Sequence, residues 1–139
     1  MSDKLIFRSF KDGDYKVILE WWKWWWGEKR CVRRDLLPHD DYCYMVEKNN
    51  ERIAAAFLYV DKNAPMAYLT FMVSNPDYRE KDRRFILEQL IVNIEEEAKS
   101  QGIELIFTVC GNPHVESIHN KLGWTIDKNV PAYETFKYI

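Results

Sequence analysis

Four cations fall within six positions of the stretch Asn75-Pro76-Asp77-Tyr78-Arg79-Glu80-Lys81-Asp82-Arg83-Arg84, immediately ahead of a long helical pattern. Guanidinium and ammonium groups gathered at a helix start are suited to a phosphate, because they add charge-assisted hydrogen bonds to the positive end of the helix. Asp82 works the other way. A carboxylate at that place caps the free amides itself and repels a phosphate, each effect being worth about 1 kcal/mol.

Other reactive side chains are scattered. Glu47, Glu134, His39 and Asp41 are all conceivable general bases, and the sequence does not choose among them. His39-Asp40-Asp41 has no second His or Cys pair at a zinc-like spacing, so no metal is expected. Cys110 reads as packing within a strand rather than as a nucleophile. Lys29, Arg30, Arg33 and Arg34 follow a run of tryptophans, and cations beside aromatics suit a nucleotide or single strand. The stretch is short and the net charge is -2, so a solvated basic loop is the favoured account and a nucleic-acid acceptor stays open.

The elements that must position these groups are legible. Leu5 to Phe10 reads as a strand. A helix follows from Asp12-Gly13-Asp14 to about Trp26, where Gly27 stops it. On that helix Tyr15, Ile18, Leu19, Trp22, Trp25 and Trp26 make one apolar stripe, with Val17, Trp21 and Trp24 beside it. An arc this wide exceeds what one sheet face needs, which leaves a homodimer open. Residues 27–41 read as loop. Tyr42–Glu47 and Ile53–Val60 are strands joined by Asn49-Asn50, and Met66–Ser74 is a third, so the three are expected antiparallel.

From Arg83 to Gln101, Leu87, Leu90, Ile91, Ile94 and Ala98 define a buried helix stripe, with Glu88, Glu95, Glu96 and Lys99 on the other side. Ile103–Cys110 reads as a central strand covered on both faces, parallel to 66–74 through a right-handed crossover. Val115–Leu122 is a short helix and Tyr133–Tyr138 a last strand. The fold class is α/β: a mixed, mostly antiparallel sheet with a splayed parallel pair and helices on both faces.

With 139 residues, the chain is read as a single domain spanning 1–139. No apolar run approaches the roughly 20 residues of a membrane span. Three cysteines without CxxC spacing and no visible signal peptide read as a soluble cytoplasmic protein.

The run from Val73 through Asn75-Pro76-Asp77-Tyr78-Arg79 to Gly123-Trp124, and the strand order over nearly the whole chain, resemble the GNAT superfamily of N-acetyltransferases. The segment 78–83 also resembles a divergent form associated with virus-encoded, phage-like members. Arg79 matches the leading basic position of that family's [QR]-x-x-G-x-[GA] loop, Asn112 its later Asn, and Gly123-Trp124 its Gly-Phe. The loop glycines fall where this chain has Asp82 and Arg84.

The resemblance implies an acetyl-CoA-dependent N-acyltransferase that passes the acyl group directly to a primary amine on a small molecule or protein. Backbone groups near Met72 and Val73 would hold the pantetheine arm and polarise the thioester, and Arg79, Lys81, Arg83 and Arg84 would take the diphosphate. His119 stands seven residues after Asn112, where the family carries the Tyr that protonates the thiolate. That family's acceptor groove is walled by the first-helix region, so of Trp21, Trp24, Trp25 and Trp26 one or two are expected to line a substrate slot and the rest to pack, with Glu47 among the candidate bases. The alternatives are a degenerate protein-binding module or a transferase acting on nucleotides or nucleic acid.

Overall fold

Residues 43–46 and 53–58 are unbroken buried runs within two strands, so both faces of the sheet need cover, and a helix meets each. The computed structural model describes residues 4–129 and 133–139, and its backbone contacts fall into two compact units that meet between Thr108 and Val109. The first holds β1 (Leu5–Ser9), α1 (Asp14–Trp26), β2 (Cys43–Lys48), β3 (Glu51–Val60), β4 (Met66–Ser74), α2 (Arg83–Ser100) and β5 (Leu105–Phe107). The second holds α3 (Pro113–Lys121).

The five strands form one sheet in the order β1-β2-β3-β4-β5, antiparallel throughout except for the parallel pair β4 and β5. Asn49 and Asn50 both take left-handed backbone (φ 52 and 64), as the tight β2–β3 hairpin requires. On one sheet face Met45, Ala55, Phe57 and Val73 pack with Ile18, Trp21 and Trp22 of α1 and with Val32 and Leu37 of the following segment. The intervening residues Ala54, Ala56 and Leu58 are also fully buried, and α2 lies against β2 and β3 through Ile86, Leu90, Ile91, Ile94 and Ala98. Segment 27–41 is not plain loop, since it contains 3-10 turns at Glu28–Arg30 and Arg34–Leu36, with a third at Asp40–Tyr42.

Several expectations need correction. The 103–110 strand shrinks to Leu105–Phe107 at the sheet edge, with Leu105 and Phe107 more than half exposed, so it is not covered on both faces. Residues 133–139 form no strand. Glu88 is buried and takes Arg84 at 3.3 Å, whereas Leu87 is only half-buried, so the helix face is turned slightly from the simple stripe. Among the described residues no helix is long and apolar enough to cross a membrane.

One buried charge ties the N-terminal elements together. Asp14, fully buried, accepts from Arg8 at 2.6 and 3.0 Å, from Arg52 at 2.8 Å and from the Lys11 amide at 2.9 Å. Burial pushes its carboxyl up, but the hydrogen bonds from Arg8, the Lys11 amide and Arg52 outweigh that and hold it below the ordinary value. The unfolded chain, near 3.9 at this carboxyl, therefore binds the proton first. The stabilisation is complete above about pH 4 and is lost as pH falls through the lower folded value. Asp14→Ala, which leaves Arg8 paired with Glu47 and takes the carboxylate from Arg52, should cost about 3–5 kcal/mol in urea unfolding at pH 7 and flatten the acid limb of the stability profile.

Candidate functional site

The site begins with an irregularity in β4. Pairing runs Ala55↔Val73 and then Phe57↔Thr70, so Ala56 faces both Phe71 and Met72. Phe71 adopts φ 57, an uncommon conformation for a bulky side chain that costs about 1–3 kcal/mol. What holds it is α1. The Trp22 indole N–H donates to the Phe71 carbonyl at 3.3 Å, its ring meets the Phe71 ring edge-on, and Trp25 N–H donates to the Ser74 carbonyl at 2.8 Å. Donors three residues apart on the helix thus meet acceptors three residues apart on the strand.

On its other edge β4 is paired only briefly. The parallel ladder joins Met66, Ala67 and Tyr68 to Leu105, Ile106 and Phe107 and then stops. Thr108 Oγ1 donates to the Leu69 carbonyl at 2.7 Å, substituting a side chain for the next rung. The ladder ends there, while β4 itself continues through Thr70–Ser74 for about 15 Å.

The loop after β4 is held by the Asn75 side chain. Asn75 accepts from the Asp77 amide at 2.9 Å and donates to the Arg52 carbonyl at 3.0 Å. Asp82 stands at the N-cap of α2, yet no side chain caps the helix there. Its carboxylate turns instead to Lys48 Nζ and the Tyr78 hydroxyl, both at 2.5 Å. The Lys48 and then the Tyr78 hydrogen bond hold it below the ordinary carboxylate range. The expected self-capping does not occur. An open, charge-mixed cavity of about 640 Å³ lies under this loop, lined in part by Lys48, Glu51, Lys81 and Asp82.

Arg79 and Arg83 are arranged differently from the other two cations. Arg84 is committed to Glu88, and Lys81 is exposed. Arg79 donates through Nε to the Pro76 carbonyl at 2.7 Å and lies over the Trp24 ring, 5.5 Å from its centre. Arg83 donates to Ser74 Oγ at 2.8 Å and lies 5.1 Å from the Trp25 ring centre. Burial and then the charge of Arg79 pull the Arg83 guanidinium below its ordinary value. Two guanidiniums repel one another here, and no carboxylate among the described residues pairs with either.

The tryptophans divide. Trp21 is buried in the core and lines no slot, while Trp24, Trp25 and Trp26 are exposed. Trp26 stacks on Trp22. Met72 is half-buried beside the bulge, and Val73 sends its side chain into the α1-side core. Glu47 is engaged by Arg8 at 3.0 Å, and that hydrogen bond holds its carboxyl low, which makes it a weak proton acceptor. Arg33 pairs with Asp35 and Arg34 with Asp40, so the basic loop carries its own countercharges.

In the second unit Asn112 uses its side-chain oxygen to cap α3, accepting from the His114 amide at 2.8 Å. Proline at the first position starts that helix two residues earlier than expected. His119 is 2% exposed, with Trp124 edge-on at 4.5 Å. Its Nδ1 lies 2.9 Å from the Val115 carbonyl, which can only accept, so Nδ1 carries the proton there. Nε2 is buried without a hydrogen-bond partner. Cys110 Sγ is 3.5 Å from the same Nδ1, and burial pushes its thiol up.

The bulge, the Trp22 and Trp25 donors and the Lys48–Asp82–Tyr78 contact escaped sequence reasoning. Phe71 is not a glycine, so nothing in its identity announces a left-handed backbone.

No protein-family model and no curated protein matches the sequence. Solved structures do. N-acetylglutamate synthase from Neisseria gonorrhoeae, complexed with coenzyme A and N-acetyl-glutamate, superposes with a TM-score of 0.69 at 16% identity over 86% of this chain, which spans only 28% of that one. Aminoglycoside N-acetyltransferase AAC(6')-Iy in complex with CoA gives 0.63 at 15% identity over 97% of both chains. The Escherichia coli ribosomal-protein-S18-alanine N-acetyltransferase gives 0.66 at 17% over 86% and 77%. The mostly antiparallel sheet with its one parallel pair, and the helices on it, therefore have the fold of the GNAT N-acetyltransferases.

Proposed function

We propose that the protein is an N-acyltransferase that takes an acetyl or similar acyl group from acyl-CoA and passes it directly to a primary amine. The observation that carries this reading is the end of β4–β5 pairing after three residues, on the strand that leads to two arginines with no carboxylate partner among the described residues. An extended amide-bearing arm such as pantetheine has the shape to run along Thr70–Ser74 as an added strand would. Arg79 and Arg83 then take the diphosphate by charge-assisted hydrogen bonds, replacing the glycine amides that this loop lacks. The coenzyme A bound by the synthase and by AAC(6')-Iy supports that donor. Their acceptors, and the protein alanine named for the E. coli enzyme, support an amine on a small molecule or a protein.

In the reaction the neutral amine attacks the thioester carbonyl, the oxyanion forms near the Met72 and Val73 backbone, and the carbon–sulfur bond breaks to release CoA thiolate. Positioning and electrostatic stabilisation supply most of the acceleration. The amine's proton leaves through water rather than through Glu47, which Arg8 occupies. His119, buried with Nδ1 against the Val115 carbonyl and its ring against Trp124, acts in packing of the second unit more than as an acid.

Titration calorimetry with acetyl-CoA tests the reading. Wild type should bind, and Arg79→Ala and Arg83→Ala should each weaken binding at least about tenfold, in line with about 1.5–3 kcal/mol for a charged hydrogen bond. Absence of heat at millimolar acetyl-CoA would end the proposal. Asp82→Asn removes a negative charge beside the phosphates, so it should tighten CoA several-fold at low salt, the gain shrinking as salt is raised.

A further inference from the structure

The exposed tryptophans are not explained by a diphosphate site alone. Trp24 is 57% exposed, has the Arg79 guanidinium over its ring, and meets the Trp25 ring edge-on at 4.6 Å. Trp25 in turn lies against Arg83 and is fixed to the Ser74 carbonyl. Two cations and two large aromatic rings are thus interleaved on one surface, and each arginine is anchored by a hydrogen bond of 2.7 or 2.8 Å.

We propose that Trp24, Arg79 and Arg83 form a platform for the nucleotide half of the donor, with the purine stacked on Trp24 and the adjoining phosphates on the two guanidiniums. This inference rests on the acyl-CoA reading and deepens it. A dicarboxylate would use the arginines and gain nothing from an indole face. An apolar group would use the indoles and leave two cations unsatisfied. A ligand with both a flat π surface and several anionic oxygens matches all of it, and a phosphorylated nucleoside is that kind of ligand. Stacking of a base on an aromatic side chain contributes about 1–3 kcal/mol, and a nearby guanidinium adds to it.

A consequence follows for donor choice. If the nucleotide supplies much of the binding, the protein selects intact CoA over a donor that carries only phosphopantetheine, such as a thioester on a carrier protein. The arginines alone would not make that distinction, because both donors present a phosphate.

The two halves of coenzyme A separate the contributions. Adenosine 3′,5′-bisphosphate, 4′-phosphopantetheine and whole CoA are titrated against wild type, Trp24→Ala and Trp24→Phe, with melting temperature as a check that each variant is folded. The expected result is that the bisphosphate binds wild type, with quenching of indole fluorescence. Trp24→Ala should weaken CoA and the bisphosphate together, by between roughly fivefold and a hundredfold, and leave phosphopantetheine unchanged. Trp24→Phe, which keeps an aromatic face, should restore most of the loss. CoA binding equally well to Trp24→Ala and wild type overturns the platform and leaves the acyl-CoA reading standing. Bisphosphate binding that depends on Trp24, without any binding of whole CoA, does the reverse. Failure of all three ligands to bind wild type removes both.

Discussion

Two indole N–H groups hold the Phe71–Ser74 end of β4 in place, and what the site can do follows from that. Trp22 and Trp25 reach the carbonyls of Phe71 and Ser74 from α1. Without the first, Phe71 would have little reason to keep a left-handed backbone, and the bulge would relax toward regular pairing with β3. A regular β4 would aim its later peptide groups differently. The helix therefore does more than cover a sheet face; it fixes the direction in which the open strand edge points. For Trp22 this also explains the residue type. Only a side chain that is both large and a hydrogen-bond donor can fill the core and reach a strand carbonyl at once.

The charged corner shows a related economy. Glycines in such a loop would let backbone amides approach a phosphate, and this chain has Asp82 and Arg84 instead. Each is diverted: Asp82 to Lys48 and Tyr78, Arg84 to the buried Glu88. Besides the exposed Lys81, what remains at the turn is Arg79 and Arg83, positioned by Pro76 and Ser74 and supported by indole rings. The acid that threatened the site on paper is neutralised by a lysine from the end of β2, thirty-four residues earlier in the chain. Such a contact is non-local, and no spacing rule exposes it.

That contrast describes what the sequence could and could not disclose. The elements with strong period were legible: the β2–β3 hairpin from Asn49-Asn50, the α2 stripe and the antiparallel strands. The parallel direction of β4 and β5 follows from the crossover between them, and their ladder stops after three pairs. Ile103–Cys110 misled because an apolar run looks the same whether a strand is central or lies at an edge. Trp21 and Trp24 shared one predicted stripe, yet one is in the core and the other in solvent, because a stripe gives a direction but not where its cover ends. His119 was singled out by position alone, and position says nothing of the carbonyl that claims its proton.

The open edge of β4 also decides where affinity must come from. Water already serves the peptide groups of an unpaired strand, so a pantetheine arm exchanges those hydrogen bonds for its own and gains only about 0.5–1.5 kcal/mol for each. Part of that is consumed in ordering a flexible chain, at roughly 0.5–1.5 kcal/mol per immobilised group. The strand therefore sets register more than it sets strength. Charge-assisted bonds to Arg79 and Arg83, at about 1.5–3 kcal/mol each, and any stacking on Trp24 are the contributions large enough to retain a donor. A turn that has lost its glycines can still serve as a cofactor anchor provided its arginines are held still, and here the tryptophans hold them.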